Sequence, residues 1–169
     1  KDKYIVYLST EMSKYHLQKR LINVLNVVDE SYKSNIIFVD SFEELDKLKY
    51  LEGLCKEYPP HVIIIDQLAD FVPSVNDEPL AKAVVRKISG IANTYDCGVI
   101  GIIHQNEDSN ISAKARGHLG SELEQKIVAA LAIADNSKGF RIKSTKLREG
   151  KHFTIDTIFN EETFMLKKG

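Results

Sequence analysis

The sequence predicts an α/β fold in which helices layer a mainly parallel sheet and antiparallel hairpins follow at the C-terminal end. Three observations carry this. The runs YIVYLST (4–10), NIIFVD (35–40), HVIIID (61–66) and GVIGIIH (98–104) are almost wholly apolar rather than alternating, as strands buried on both faces are. Helical stretches separate them, the alternation expected of right-handed crossovers. Beyond the first two thirds of the chain, strand-length runs follow one another across short polar turns.

The elements follow in order. After the first strand, Met12, Tyr15, Ile22, Leu25 and Val28 fall near helical spacing. After the second, Ser41 and Glu44 form a capping box that opens a helix, with Phe42, Leu45, Leu48, Leu51 and Cys55 as its apolar stripe. Pro59 and Pro60 stop it. A helix entered at Pro79 carries Leu80, Val84, Ile88 and Ile91 on one face, with Gly98 just past its end. Ser121 and Glu124 cap a further helix leading into IVAALAIAD. Then GFRIKSTKLR (139–148), HFTIDTIFN (152–160) and TFMLKK (163–168) read as hairpin strands attached to the parallel sheet.

At 169 residues the chain is expected to be one domain over residues 1–169, with a substantial core. The net charge of −1 supplies no global attraction to nucleic acid or membrane, so any such contact must be local. Cys55 and Cys97 form no C-x-x-C, which argues against a disulfide framework or zinc site and for a reduced, cytoplasmic setting. No apolar run approaches the ~20 residues that span a bilayer, so no membrane partner is expected.

In open α/β sheets ligands collect beyond the carboxyl ends of the strands. Those ends carry Glu11, Asp40, Asp66, His104 and Gln105. Asp66 is the candidate for holding a magnesium ion, since magnesium favours hard oxygen ligands and retains waters. Glu11 is placed to act as a general base on an attacking water. Gln105 is placed to bond that water or a terminal phosphate oxygen. Asp40 reads as a helix cap, and His104 as a packing residue. Lys146 and Arg148, two apart on a strand, project to one face. No histidine pair has metal-ligand spacing on a helix, and no G-x-S-x-G marks an acyl-transfer nucleophile.

The order of YLSTEMS, VIIIDQLADF, GVIGIIHQN, ARGHLGSELEQKIVAALAI and IKSTKLREGK along nearly the whole chain resembles that of RecA-like ATPases. The resemblance is to the branch containing hexameric DnaB-type helicases and RepA-type plasmid replication and mobilisation ATPases. It implies a RecA-like three-layer sandwich that uses ATP and magnesium (Mg2+). By it Glu11 matches the catalytic glutamate, Asp66 the magnesium-associated aspartate and Gln105 the phosphate-sensing glutamine. Lys146 and Arg148 match a pair that reaches into the neighbouring subunit's ATP site of a ring, which the resemblance implies is a hexamer. The segment Lys114, Arg116 and His118 matches a loop region facing single-stranded DNA, although it offers no aromatic to stack bases.

One part of that pattern is missing. No G-x-x-x-x-G-K-[ST] phosphate loop occurs, and the sole Gly-Lys pair, Gly150–Lys151, lies between strands. The resemblance places that loop just before the strand at 4–10, so the sequence reads as truncated at its N-terminus, and these residues alone are expected not to hydrolyse ATP. The resemblance also places the absent strand between those at 61–66 and 98–104. The gap is then expected to be filled by a further N-terminal segment, another chain or a rearranged sheet, and direct pairing of the two strands would remove the family's sheet order. Two other readings stand beside the motor: a non-catalytic DNA-binding or assembly module that has lost the loop, and a RecA-like recombinase or signalling ATPase.

Overall fold

The computed structural model describes residues 3–40, 46–104, 117–137, 139–160 and 165–168. The chain divides into two compact units, one formed by residues 1–104 and 115–122 and the other by 105–114 and 123–169.

The first unit holds a four-stranded parallel sheet in the order β2-β1-β3-β4, built from β1 (Tyr4–Ser9), β2 (Ile36–Asp40), β3 (Pro60–Asp66) and β4 (Gly98–Gly101). Its helices are α1 (Lys14–Val27), the short α2 (Glu30–Lys33), α3 (Lys47–Glu57) and α4 (Glu78–Tyr95). The step from β1 to β2 runs one way across the sheet, whereas the steps to β3 and β4 run the other way. Right-handed crossovers therefore put α1 on one face and α3 and α4 on the opposite face. The α3–α4 layer is tied by Lys87 and Glu52 at 2.6 Å. It seals its face: Val6, Leu8, Ile63 and Ile65 are fully buried, beneath Leu51, Cys55, Val84, Ile88 and Ile91. The α1 face is covered over β1 and β2, while Ile100 on β4 remains 53% exposed.

Sequence patterning located these strands and the apolar faces of α3 and α4, with differences at the helix ends. Asp46, not Ser41, caps the described start of α3, its carboxylate accepting from the Lys49 amide at 3.0 Å; Ser41 and Glu44 lie outside the described residues. Asp96, in the left-handed region at φ 49°, ends α4 two residues before Gly98. On α1 the buried residue is Leu17; Tyr15 and Ile22 are 69% and 57% exposed, so the apolar stripe read from them is not the one that packs. Only the face of α1 that meets β1 and β2 can be buried, because the sheet continues away from it.

The sheet order corrects a larger expectation. β3 and β4 are direct neighbours, with Val62, Ile63, Ile64 and Ile65 opposite Gly98, Val99, Ile100 and Gly101. The gap between them is therefore closed by a rearranged sheet, and the sheet order implied by the resemblance does not hold. Direct pairing satisfies the backbone groups that an open position would strand, and an unpaired buried N–H or C=O is costly. The ladder continues past Gly101, the Ile102 amide donating to the Ile65 carbonyl at 2.9 Å.

The second unit holds the antiparallel order β5-β6-β7-β8, from Ala129–Asn136, Gly139–Leu147, Thr154–Asn160 and Met165–Lys168. These strands form their own sheet among the described residues, rather than an extension of the parallel one. Arg141 on β6 grips Asp156 on β7 with two bonds, at 2.7 and 3.0 Å. Buried Ser144 accepts from the Phe153 amide at 2.8 Å and so fixes the β6–β7 connection. Helix α5 (Gly117–Lys126) begins a turn before Ser121, which lies inside it and caps nothing.

Candidate functional site

The carboxyl ends of β1 and β3 lie side by side, with Ser9 opposite Asp66. Thr10 laces them together: its amide donates to the Asp66 carbonyl at 2.6 Å, and its hydroxyl accepts from the Gln67 amide at 2.8 Å. The same hydroxyl donates to Asp70 at 2.5 Å, fixing the short 3-10 helix Leu68–Phe71 that follows β3. This lacing puts Glu11 beyond β1 and Asp66 at the end of β3 on one rim of the sheet. His104, past β4, joins them, with Nε2 3.2 Å from the Glu11 Oε1. His104 thus contacts the candidate base rather than packing in the core; its side chain is 65% exposed. A cleft of about 330 Å3 opens beside it, lined among others by Gln67, Asp70, Ser74, Ile103 and His104.

Asp66 has the most constrained side chain of the group, only 10% exposed. Its Oδ2 accepts from the Tyr7 hydroxyl at 2.6 Å and from Arg20 Nη1 at 3.2 Å. Arg20 Nη1 also donates to the Tyr7 oxygen at 2.8 Å, closing a three-membered network. Tyr7 arrives from the middle of β1, its ring stacked on Phe38 at 4.8 Å, and Arg20 arrives from α1. Burial, reinforced by the bond to Asp66, pushes the Tyr7 phenol up to about 12, so it remains a hydrogen-bond donor to the carboxylate. Sequence reading missed Tyr7, Thr10 and Arg20. The signal for Tyr7 was alternation: two residues before Ser9, it shares the face of the strand-end carboxylate.

Oδ1 of Asp66 makes no hydrogen bond among the described residues, and no buried side-chain oxygen there lacks a partner; Oδ1 therefore reaches solvent. Among the described residues no group of three or more acidic, histidine or cysteine side chains is arranged to hold a metal. A single open carboxylate oxygen fits magnesium that keeps its waters and arrives with phosphate oxygens of its own, the usual mode for nucleotide sites. It does not fit a resident metal caged by protein.

The remaining predicted residues lie elsewhere. Lys146 donates to the Glu124 carbonyl and Arg148 to the Gln125 carbonyl, the latter at 2.8 Å. Both cations thus lie on the same side, as their spacing predicts, and cap the last turn of α5, where unpaired carbonyls and the helix dipole favour positive charge. His118 lies exposed in the first turn of α5. Gln105, Lys114 and Arg116 lie outside the described residues. Asp40 ends β2, and the residues it would cap are also outside them. No described helix is long and apolar enough to cross a membrane.

No family model matches the chain, and no curated protein matches its sequence. Its fold is similar to a solved structure whose title describes an ATPase domain, at a TM-score of 0.70 and 16% sequence identity, over 98% of this chain and 74% of that one. The architecture is therefore of the RecA-like α/β class, a parallel sheet with an antiparallel sheet following it.

Proposed function

We propose that this chain is part of an ATP-driven motor on DNA, of the replicative-helicase or plasmid replication and mobilisation kind, hydrolysing ATP where subunits of a ring meet. One observation carries the reading: Glu11 and Asp66, far apart in sequence, are laced onto one rim by Thr10 at the carboxyl ends of adjacent parallel strands. That is where open α/β sheets bind ligands. The likeness in fold to an ATPase domain supports it.

In this reading Asp66 offers Oδ1 to the water shell of magnesium, which supplies charge neutralisation on the nucleotide's phosphates when bound. Glu11 accepts a proton from the attacking water. His104, at 3.2 Å, holds the Glu11 carboxylate at the rim and is itself a donor to it when its Nε2 carries the proton. Gln105 senses the terminal phosphate. Lys146 and Arg148 leave the end of α5 to reach a neighbouring subunit's nucleotide, where such a finger is worth about 10³–10⁵ in rate. Lys114, Arg116 and His118 meet the phosphates of single-stranded DNA.

The 169 residues contain no phosphate-wrapping loop, so by themselves they are expected to hydrolyse ATP at no more than background rate. Robust turnover by these residues, abolished by Asp66→Ala, would refute that expectation. In the protein as the cell makes it, Asp66→Asn and Glu11→Gln should each lower hydrolysis by at least about 10², the range of a positioned acid–base group. Unchanged turnover in both would remove the site assignment.

A further inference from the structure

Arg20 has no part in the chemistry proposed above, yet among the described residues it makes the one ion pair of the candidate metal residue. We infer that Arg20 is an internal counter-ion of Asp66, which makes this site reject a bare divalent cation and accept one delivered with an anionic ligand. The inference rests on the proposed magnesium role of Asp66 and adds what sets the selectivity of that site.

The geometry supplies both halves of the selectivity. A cation approaching Oδ1 meets a carboxylate already compensated by a guanidinium 3.2 Å from Oδ2. The other nearby charges do not restore the missing negative potential. Glu11 is engaged by His104, and Asp70 is bonded to Thr10 with Lys47 on its carbonyl at 2.7 Å. Tyr7, the remaining member of the network, is a neutral donor. A bare ion therefore faces a site of roughly balanced charge. A cation carrying phosphates is different, because its ligand also answers the guanidinium. Both protein bonds of Arg20 use Nη1, leaving Nε and Nη2 of a side chain that is 49% exposed without a protein acceptor among the described residues. Guanidinium forks suit phosphate oxygens geometrically as well as electrostatically.

The test is manganese(II) binding to the full chain without nucleotide, followed by electron paramagnetic resonance, with circular-dichroism melting of every variant. Arg20→Gln should raise manganese affinity about tenfold, the order one unit charge a few ångströms away implies near a protein surface. Arg20→Met, neutral with a similar stem, should do the same, so the result does not depend on one variant folding. Arg20→Lys keeps the charge and should stay near wild type. The gain should vanish in Arg20→Gln combined with Asp66→Asn. Tyr7→Phe loosens the carboxylate without changing charge and should leave affinity unaltered; a tenfold gain from it would overturn the counter-ion account. Affinity unchanged in both neutral Arg20 variants, with Asp66→Asn still weakening the wild type, would overturn the inference and leave the metal role standing. No effect of Asp66→Asn in any background would overturn both.

Discussion

Thr10 shows how much of this site depends on single side chains that carry no charge. Its amide and hydroxyl join β1 to the turn after β3 through three bonds, and without them Glu11 and Asp66 would not share a rim. The two carboxylates were legible in the sequence because each follows an apolar run, where a charged residue must lie at a strand end. Arg20 and Tyr7 were not. A lone arginine on a helix usually marks a solvated face, and a tyrosine within an apolar run usually marks core; only the tertiary fold brings both to Asp66 Oδ2. Another residue-level feature is Gly117, at φ 68°, where a Cβ would lie 2.5 Å from the Val75 carbonyl oxygen. Gly117→Ala should cost about 1–3 kcal/mol from backbone strain alone, read as a lower urea midpoint. A midpoint equal to wild type would contradict the conformation at the start of α5.

At the scale of elements, the layer formed by α3, α4 and one sheet face is the best-specified part of the molecule. Its stripes on α3 and α4 were readable because that face is covered from end to end, so helical periodicity and burial coincide. On α1 they diverged, because a helix lying over only β1 and β2 buries a narrower strip than its apolar content suggests. Cys55, fully buried in the covered layer, provides a pH test. Burial, with Cys97 and Glu52 adding to it, pushes its thiol from 9.0 up to about 12. The folded chain thus holds this proton where the unfolded chain releases it. The associated stability is complete below pH 9.0 and declines as pH rises toward about 12. Urea midpoints measured across that window should fall less steeply in Cys55→Ala than in wild type. Equal slopes would show that the thiol is not responsible.

The end of α5 gives a second element-scale prediction. Lys146 and Arg148 were found as a pair from their spacing, but their present partners, the carbonyls of Glu124 and Gln125, were not readable from it. As caps they should each contribute about 0.3–1 kcal/mol, lost on substitution by alanine. A finger role adds a separate signature in the protein as the cell makes it: Arg148→Ala should lower hydrolysis by about 10³ or more while nucleotide binding persists. Loss of stability alone, with hydrolysis intact, would leave them as caps.

At the scale of the whole molecule, the α/β class and the hairpin succession were legible because parallel and antiparallel strands differ in patterning. Sheet order was not. Apolar runs of valine and isoleucine specify burial, and several neighbours satisfy that equally well; the pairing of β3 with β4 is a choice made by backbone hydrogen bonding across the whole sheet. Amide hydrogen exchange tests that pairing directly. The Ile102 amide, bonded to the Ile65 carbonyl at 2.9 Å, should exchange slowly, and rapid exchange there would contradict the ladder. The proposed function spans a larger scale still, since it needs a nucleotide held between subunits.

The most direct measurement is ATP hydrolysis by the protein as the cell makes it, comparing wild type with Asp66→Asn at equal folded concentration. The account predicts DNA-responsive turnover in the wild type and a fall of at least about 10² in the variant, the scale on which a positioned catalytic group contributes. Turnover that is the same in both would contradict it.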